Sequence, residues 1–302
     1  MLKRYLRSIA TILISSATMT VAFAQELPVV DSDQQFVDFL DNTLKNEAVN
    51  PETRRAFTRR SWTYWSDRKM DYNIHPEKYE AALSLFHQNQ QKFKSDRQIK
   101  IDRYEKAIES FRRFDSRNAL AKDPILFVGS SSIVFWETAK SFPGLPVINR
   151  GFGGASLPEI IHYYDDVIKK HAPSVLILYS DIDVEGGKSP EVAVHAFEEL
   201  IERVKTDFPT TQILLLSMKP TLIDDFLGKD VRKNKIITNE KLLEWCNGEE
   251  NLHFVDITNP MLNQGGTLRS DIFISDGMHL NALGYTLWDP VIRDSLAGLP
   301  KP

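Results

Sequence analysis

Five short runs rich in branched aliphatic residues follow Asp123-Pro124, and helical patterns separate them. The runs are PILFVG (124–129), LPVINRG (145–151), SVLILYS (174–180), TQILLLS (211–217) and NLHFVD (251–256). Strands that are apolar almost throughout and alternate with helices imply a parallel sheet covered on both faces. The spacing predicts helices over 157–170, 190–206, 231–246 and 282–295, and so an α/β fold with a five-stranded parallel sheet between helical layers. In such sheets ligands bind at the carboxyl ends of the strands, which tells where to look for chemistry.

Upstream the pattern is different. From Asp33 to about Leu120 it is helical, with Pro-bearing breaks near 50–53 and near Pro76. Tyr79, Leu83, Phe86, Phe93, Tyr104, Ile108 and Phe111 recur at three- and four-residue steps, which predicts one long amphipathic helix or two broken near Ser95. The segment RRAFTRRSWTYW (54–65) interleaves arginines with Phe57, Trp62, Tyr64 and Trp65. It reads either as a ring-and-guanidinium substrate surface or as a helix with buried rings and solvated arginines.

The first residues, MLKRYLRSIATILISSATMTVAFAQ, have the basic start, apolar middle and Ala-x-Ala end of a secretory leader, with cleavage expected after Ala24. Hydroxyl residues interrupt the apolar run, which is short for a span, so no stable membrane insertion is expected after cleavage. No Cys follows the run to take a lipid. The division expected is a leader over 1–24, a helical extension over 25–120 and the sheet domain over 121–302, released to the periplasm or beyond. Loss of Lys3, Arg4 and Arg7 with the leader takes the formal charge from −4 to −7, which argues against nucleic acid as a partner. The single cysteine, Cys246, precludes an internal disulfide and reads as a buried thiol on a helix.

Chemistry enters at two places. The first strand runs into Gly129-Ser130-Ser131-Ser132, where a serine at the opening of a helix can present its hydroxyl beside backbone N–H groups. Near the other end, SDGMHLNALGY holds Asp276 three residues before His279. A histidine there can act as general base with the aspartate orienting it. These residues alone leave Ser130, Ser131 and Ser132 open as the nucleophile. Asn149 and Arg150 after the second strand, and Ser180 after the third, are candidate substrate contacts. Asp181, Asp183 and Glu185 lie close together but read as capping or solvated carboxylates, and His75, His87, His162, His171, His195 and His253 have no ligand spacing, so no metal is assigned. GFGGAS lacks the lysine of a phosphate loop and the dinucleotide pattern, so no cofactor is implied.

These motifs resemble those of the SGNH hydrolase family, the GDSL esterases and lipases. FVGSSSI resembles the family's first block with Ser130 at its Asp position, VINRGFGG the second, and SDGMHLNALGY the last. The resemblance spans roughly residues 105–298. It implies the flavodoxin-like three-layer α/β/α fold, Ser131 as nucleophile with Asp276 and His279, and an oxyanion hole from the N–H groups of Ser131 and Gly154. The third block departs from the family pattern: LILYSDIDVEGG puts Ile182 where the family has an asparagine donor. One lost donor costs on the order of 10²- to 10³-fold in rate, unless Ser180 or another group substitutes. The resemblance therefore implies a secreted serine esterase that acts without a cofactor on a small-molecule or glycan ester, such as an acetyl ester. The alternative is a weak or inactive binding protein on the same fold.

Overall fold

The computed structural model describes residues 31–46, 49–93 and 103–300. The leader 1–24, its cleavage site and the expected break near Ser95 lie outside the described residues. The chain opens with three helices, α1 (Asp33–Lys45), α2 (Pro51–Ile74) and α3 (Glu80–Lys92), and α4 (Glu105–Asp115) leads into the sheet. Each of the first two is started by its own sequence. Ser32 and Asn50 both form capping boxes, and Pro51 enters α2 where its missing N–H costs nothing.

The five runs form five parallel strands: β1 (Ile125–Gly129), β2 (Val147–Gly151), β3 (Val175–Tyr179), β4 (Gln212–Leu216) and β5 (Leu252–Val255). Their order is β2-β1-β3-β4-β5, with Gly129 registered against Gly151 on one side and Tyr179 on the other. Alternate side chains feed two cores. Leu126, Val128, Leu176 and Leu178 pack with Phe197, Leu200 and Leu242 of the helices α7 (Pro190–Asp207) and α8 (Val231–Cys246), which are numbered after α5 (Ser131–Val134) and α6 (Leu157–His162). Phe127, Ile177, Leu214 and Leu216 pack on the other face with Trp136, Trp288 and Ile292, the last two from the closing helix α9 (Ala282–Gly298). Helices on both faces of the sheet give the expected three layers.

One expectation is corrected. The helix over 157–170 is three short pieces: α6, a turn of helix Tyr164–Val167 and a 3₁₀ turn Lys169–His171. The backbone leaves helical geometry at Tyr163, with ψ 19°, and at Ile168, with φ −124°, although Tyr163, Tyr164, Val167, Ile168 and His171 are all buried. The aromatic stripe from Tyr79 to Phe111 runs over two helices, α3 and α4, in line with the second of the two readings. Tyr79, Phe86 and Phe93 join Phe36, Phe57, Tyr64 and Trp65 in a third core among α1–α3, whereas Tyr104 and Ile108 belong to the core of the sheet domain.

The helical layer is fastened across the strand ends. Phe226, on the chain after β4, stacks on Trp65 with ring centroids 4.3 Å apart. Tyr72 donates to Asp225, Gln90 to the carbonyl of Phe226, and Asn73 to the carbonyl of Leu268. Among the described residues no helix is long and apolar enough to cross a membrane.

Candidate active site

Gly129 ends β1 so close to β3 that a Cβ there would lie 2.2 Å from the carbonyl oxygen of Tyr179. Only glycine fits, and the chain can then turn sharply through Ser130 into α5 with Ser131 at its first position. The amide of a first helical residue has no partner within its helix. The turn is held from below: Tyr285 of α9 donates to the carbonyl of Ser132, and the Asn149 amide donates to the carbonyls of Ile133 and Trp136.

Opposite stands the turn that carries Asp276 and His279. Asp276 Oδ1 accepts from the backbone N–H groups of Met278 and His279, at 2.8 and 2.9 Å. These bonds fold the four residues so that Oδ2 meets His279 Nδ1 at 2.6 Å, and His279 Nε2 lies 2.9 Å from Ser131 Oγ. With Nδ1–H donating to the carboxylate, Nε2 accepts from the serine hydroxyl. Burial disfavours the charged Asp276, but the bonds from the His279 ring and from the two amides outweigh it and hold the carboxyl below its ordinary value. Phe135, half exposed, sets its ring edge-on to His279 at 5.1 Å and walls one side. A hydroxyl, a base and an orienting carboxylate in unbroken contact can deprotonate the hydroxyl and return the proton to a leaving group.

Gly154 adopts φ +78°, a left-handed conformation open to glycine, and follows Gly153, whose Cβ position lies 4.0 Å from Ser131 Cβ. Tyr104 donates to the Gly154 carbonyl at 2.6 Å and fixes the orientation of that peptide. Against the same glycine lies Arg103, with Nη2 3.0 Å from where a Cβ would stand. Nothing in the sequence marks Arg103, because it reaches the site from outside the sheet domain's motifs.

Two of the three candidate substrate contacts have their side chains engaged within the fold. The Asn149 side chain is spent on α5 and on the N–H of Gly151. Arg150 is buried, paired with Asp115, and donates to His171 Nε2 and to the carbonyl of Asn149. Polar residues on an edge strand suit such anchoring as well as they suit a ligand. Ser180 is buried at 1% exposure, and its hydroxyl has no hydrogen-bond partner among the described residues.

Ile182 opens a short helix, Ile182–Glu185, and brings no donor. The carboxylates around it hold the loops together. Asp183 accepts from the N–H of Leu157, at the start of α6. Asp181 meets Tyr179 and Lys219, and Lys235 bonds Glu185 and Asp224 at 2.7 and 2.9 Å. Burial opposes charge on Asp181, but Lys219 and Lys235 overcome it and keep it ionised; burial and the charge of Asp181 push Glu185 up. Among the described residues no group of three His, Cys, Asp or Glu side chains could hold a metal ion.

Of the aromatics in 54–65, Phe57, Tyr64 and Trp65 are buried, whereas Trp62 is 53% exposed beside the turn of Asp276.

Comparison with known proteins places the chain in a family. Residues 134–287 match the model of the GDSL-like lipase/acylhydrolase family. Among solved structures, a proposed platelet activating factor from Streptococcus pneumonia is similar over 65% of this chain and 94% of its own, with 22% identity and a TM-score of 0.59. A proposed acylhydrolase from Bacteroides fragilis is similar over 67% and 98%, with 16% identity and a TM-score of 0.54. A GDSL-like lipase from Bacteroides thetaiotaomicron is similar over 63% and 98%, with 17% identity and a TM-score of 0.53. These likenesses concern the fold, and each leaves roughly a third of this chain unmatched. Comparison with curated protein sequences returned no match. Matched by the family model over just over half of its length, the chain belongs to the GDSL-like lipase/acylhydrolase family and is an ester-bond hydrolase.

Proposed function

We propose that the protein is a secreted serine esterase that cleaves small carboxylic esters, with acetyl esters of carbohydrates as the substrate class, through an acyl-enzyme. The observation that carries this reading is the unbroken line of contacts from Ser131 through His279 to Asp276. Ser131 Oγ attacks the ester carbonyl as His279 Nε2 takes its proton, and Asp276 steadies the imidazolium that forms. The N–H groups of Ser131 and Gly154 receive the oxyanion. Collapse of the tetrahedral intermediate breaks the bond to the alcohol, which leaves with the proton from His279. Water then repeats the sequence on the acyl-Ser131 bond, releasing the acid and restoring the serine. The leader over 1–24, removed after Ala24, delivers the enzyme to the periplasm or the medium, where polymer esters are met.

Ile182 favours the second reading, a binding protein with little chemistry. Hydrolysis of p-nitrophenyl acetate and butyrate, measured beside Ser131→Ala and with a fluorophosphonate probe, separates the two. The esterase turns over acetate and takes the label, and Ser131→Ala loses both, by at least 10³-fold in kcat. A folded protein that shows neither activity would establish the binding reading.

A further inference from the structure

The arginines of the helical layer divide into held and free. Asp31 holds Arg60 and Asp33 holds Arg68, as carboxylates elsewhere hold Arg203 and Arg232. The guanidiniums of Arg54, Arg55 and Arg59 have no hydrogen bond or ion pair among the described residues, and all three are exposed. They stand within two turns of α2, in a chain whose formal charge is −4. Arg55 and Arg59 are four residues apart, a like-charge pair that disfavours the helix until an anion lies between them.

Arg55, Arg59, Trp62, Ser66 and Lys69 follow at steps of four, three, four and three residues, which sets them along one face of α2 over about 20 Å. Beside Arg55 and Arg59 the surface sinks into an open hollow of about 560 Å³, which Ala56, Thr63 and Tyr64 also line. Of the carboxylates in that hollow, Asp31 is engaged by Arg60, and Glu52 is within ion-pair distance of neither free arginine. Trp62 is 53% exposed while Phe57, Tyr64 and Trp65 are buried, so packing of α2 does not account for its ring. At the far end Lys69 packs on the catalytic turn, with its Cδ 2.8 Å from where a Cβ would stand on Gly277, next to Asp276.

Guanidiniums set in line on a rigid helix pair with carboxylates that recur at intervals, which a polymer offers and a small ester does not. An exposed indole among them packs against the apolar C–H face of a sugar ring. A bilayer fits less well, because the large rings of α2 are buried in the protein and its outer face has no apolar band to enter lipid. We propose that this face of α2 is a docking surface for an acidic polysaccharide, which it holds alongside the turn of Asp276 and His279. The proposal names the polymer that bears the ester and rests on the serine esterase reading for its link to turnover; docking itself is tested without turnover.

The test titrates Ser131→Ala protein calorimetrically with polygalacturonate, a polymer of uronic acids, and with dextran, a neutral one. Polygalacturonate is expected to bind, and more tightly as salt is lowered. Arg55→Gln/Arg59→Gln is expected to weaken it roughly tenfold, and Arg55→Lys/Arg59→Lys, which keeps the charge, by less. Trp62→Ala is expected to weaken it roughly threefold. No binding of polygalacturonate, equal binding of dextran, or an affinity unchanged in the glutamine variant overturns the surface. An affinity unchanged in Trp62→Ala, or tighter binding to phosphatidylglycerol vesicles than to polygalacturonate, overturns the sugar polymer as its occupant. Competent enzyme is then compared on acetylated polygalacturonate and p-nitrophenyl acetate. The glutamine variant is expected to lose roughly tenfold in kcat/KM on the polymer relative to the small ester, through KM, and an unchanged ratio overturns delivery to Ser131. If the native protein hydrolyses no ester, the esterase reading fails while the titration still decides the surface.

Discussion

Position 182 shows how far one side chain can shift an otherwise complete site. Isoleucine there cannot donate to an oxyanion, yet Arg103 lies against Gly154 with its guanidinium 3.0 Å from the Cβ position of that glycine. A cation at this place stabilises negative charge that develops beside the Gly154 peptide, although solvent screens an exposed group. Arg103→Ala is therefore expected to lower kcat for p-nitrophenyl acetate by about tenfold, and Arg103→Lys, which keeps the charge, by less. Equal rates in all three proteins would mean that the guanidinium only packs over Tyr104. Asp276 and His279 were singled out from a short local motif and Ser131 by the family resemblance, and the structure brings the three side chains into contact. Arg103 was not singled out, since an arginine before a tyrosine carries no signal of what it will face. Asn149 and Arg150 misled for the opposite reason, because a strand-end polar residue looks the same whether it holds a ligand or the adjacent backbone.

At the level of elements, β2 is an edge strand, and α4 and the turn Lys169–His171 seal its flank with a buried charged cluster. Arg150 pairs with Asp115, which also meets Lys170, and His171 Nε2 accepts from Arg150 Nε at 3.2 Å. Burial, helped by the charge of Arg150, pushes His171 down to about 4 from an ordinary value of 6.5. A histidine with a lowered folded-state value favours folding when neutral. Its contribution is complete above about pH 6.5 and is lost as pH falls toward 4, because there the unfolded chain binds a proton that the folded one refuses. Urea midpoints measured between pH 7.5 and 4 should fall less steeply in His171→Gln, by roughly 1–2 kcal/mol over the window. Parallel slopes would show that His171 does not couple the cluster to pH. The strands were legible as elements because a doubly covered strand needs a continuous apolar run. The helix over 157–170 was not, because the apolar spacing continues through Tyr163 and Ile168, where the backbone leaves helical geometry.

On the scale of the whole molecule, three cores must act together for the site to keep its shape. Phe226 packs against both the core around α9 and the core of the helical layer, and its stack on Trp65 is the apolar link between them. Phe226→Ala should destabilise the protein by about 2 kcal/mol, less than for a fully buried ring because it is only partly enclosed. Urea unfolding followed by tryptophan fluorescence checks this, and an unchanged midpoint would mean that the polar bonds from Tyr72, Asn73 and Gln90 hold the layer unaided. The backbone of the loops after β4 and β5 gains partners from the same layer, at Phe226 and at Leu268, which ties these loops to helices far away in sequence.

Local periodicity and short motifs settle what depends on near neighbours: the five strands and their parallel arrangement, the serine at the end of the first strand, and the Asp-x-x-His turn. Those features follow from side-chain pattern and chain stiffness within a few residues, and so they survive without knowledge of the fold. Which face the helices of 33–93 cover, that the stripe from Tyr79 to Phe111 feeds two cores, and that Trp62 stands beside the turn of Asp276 are matters of long-range proximity. Packing decides these, since the same amphipathic stripe can be buried against any apolar surface that the rest of the chain presents.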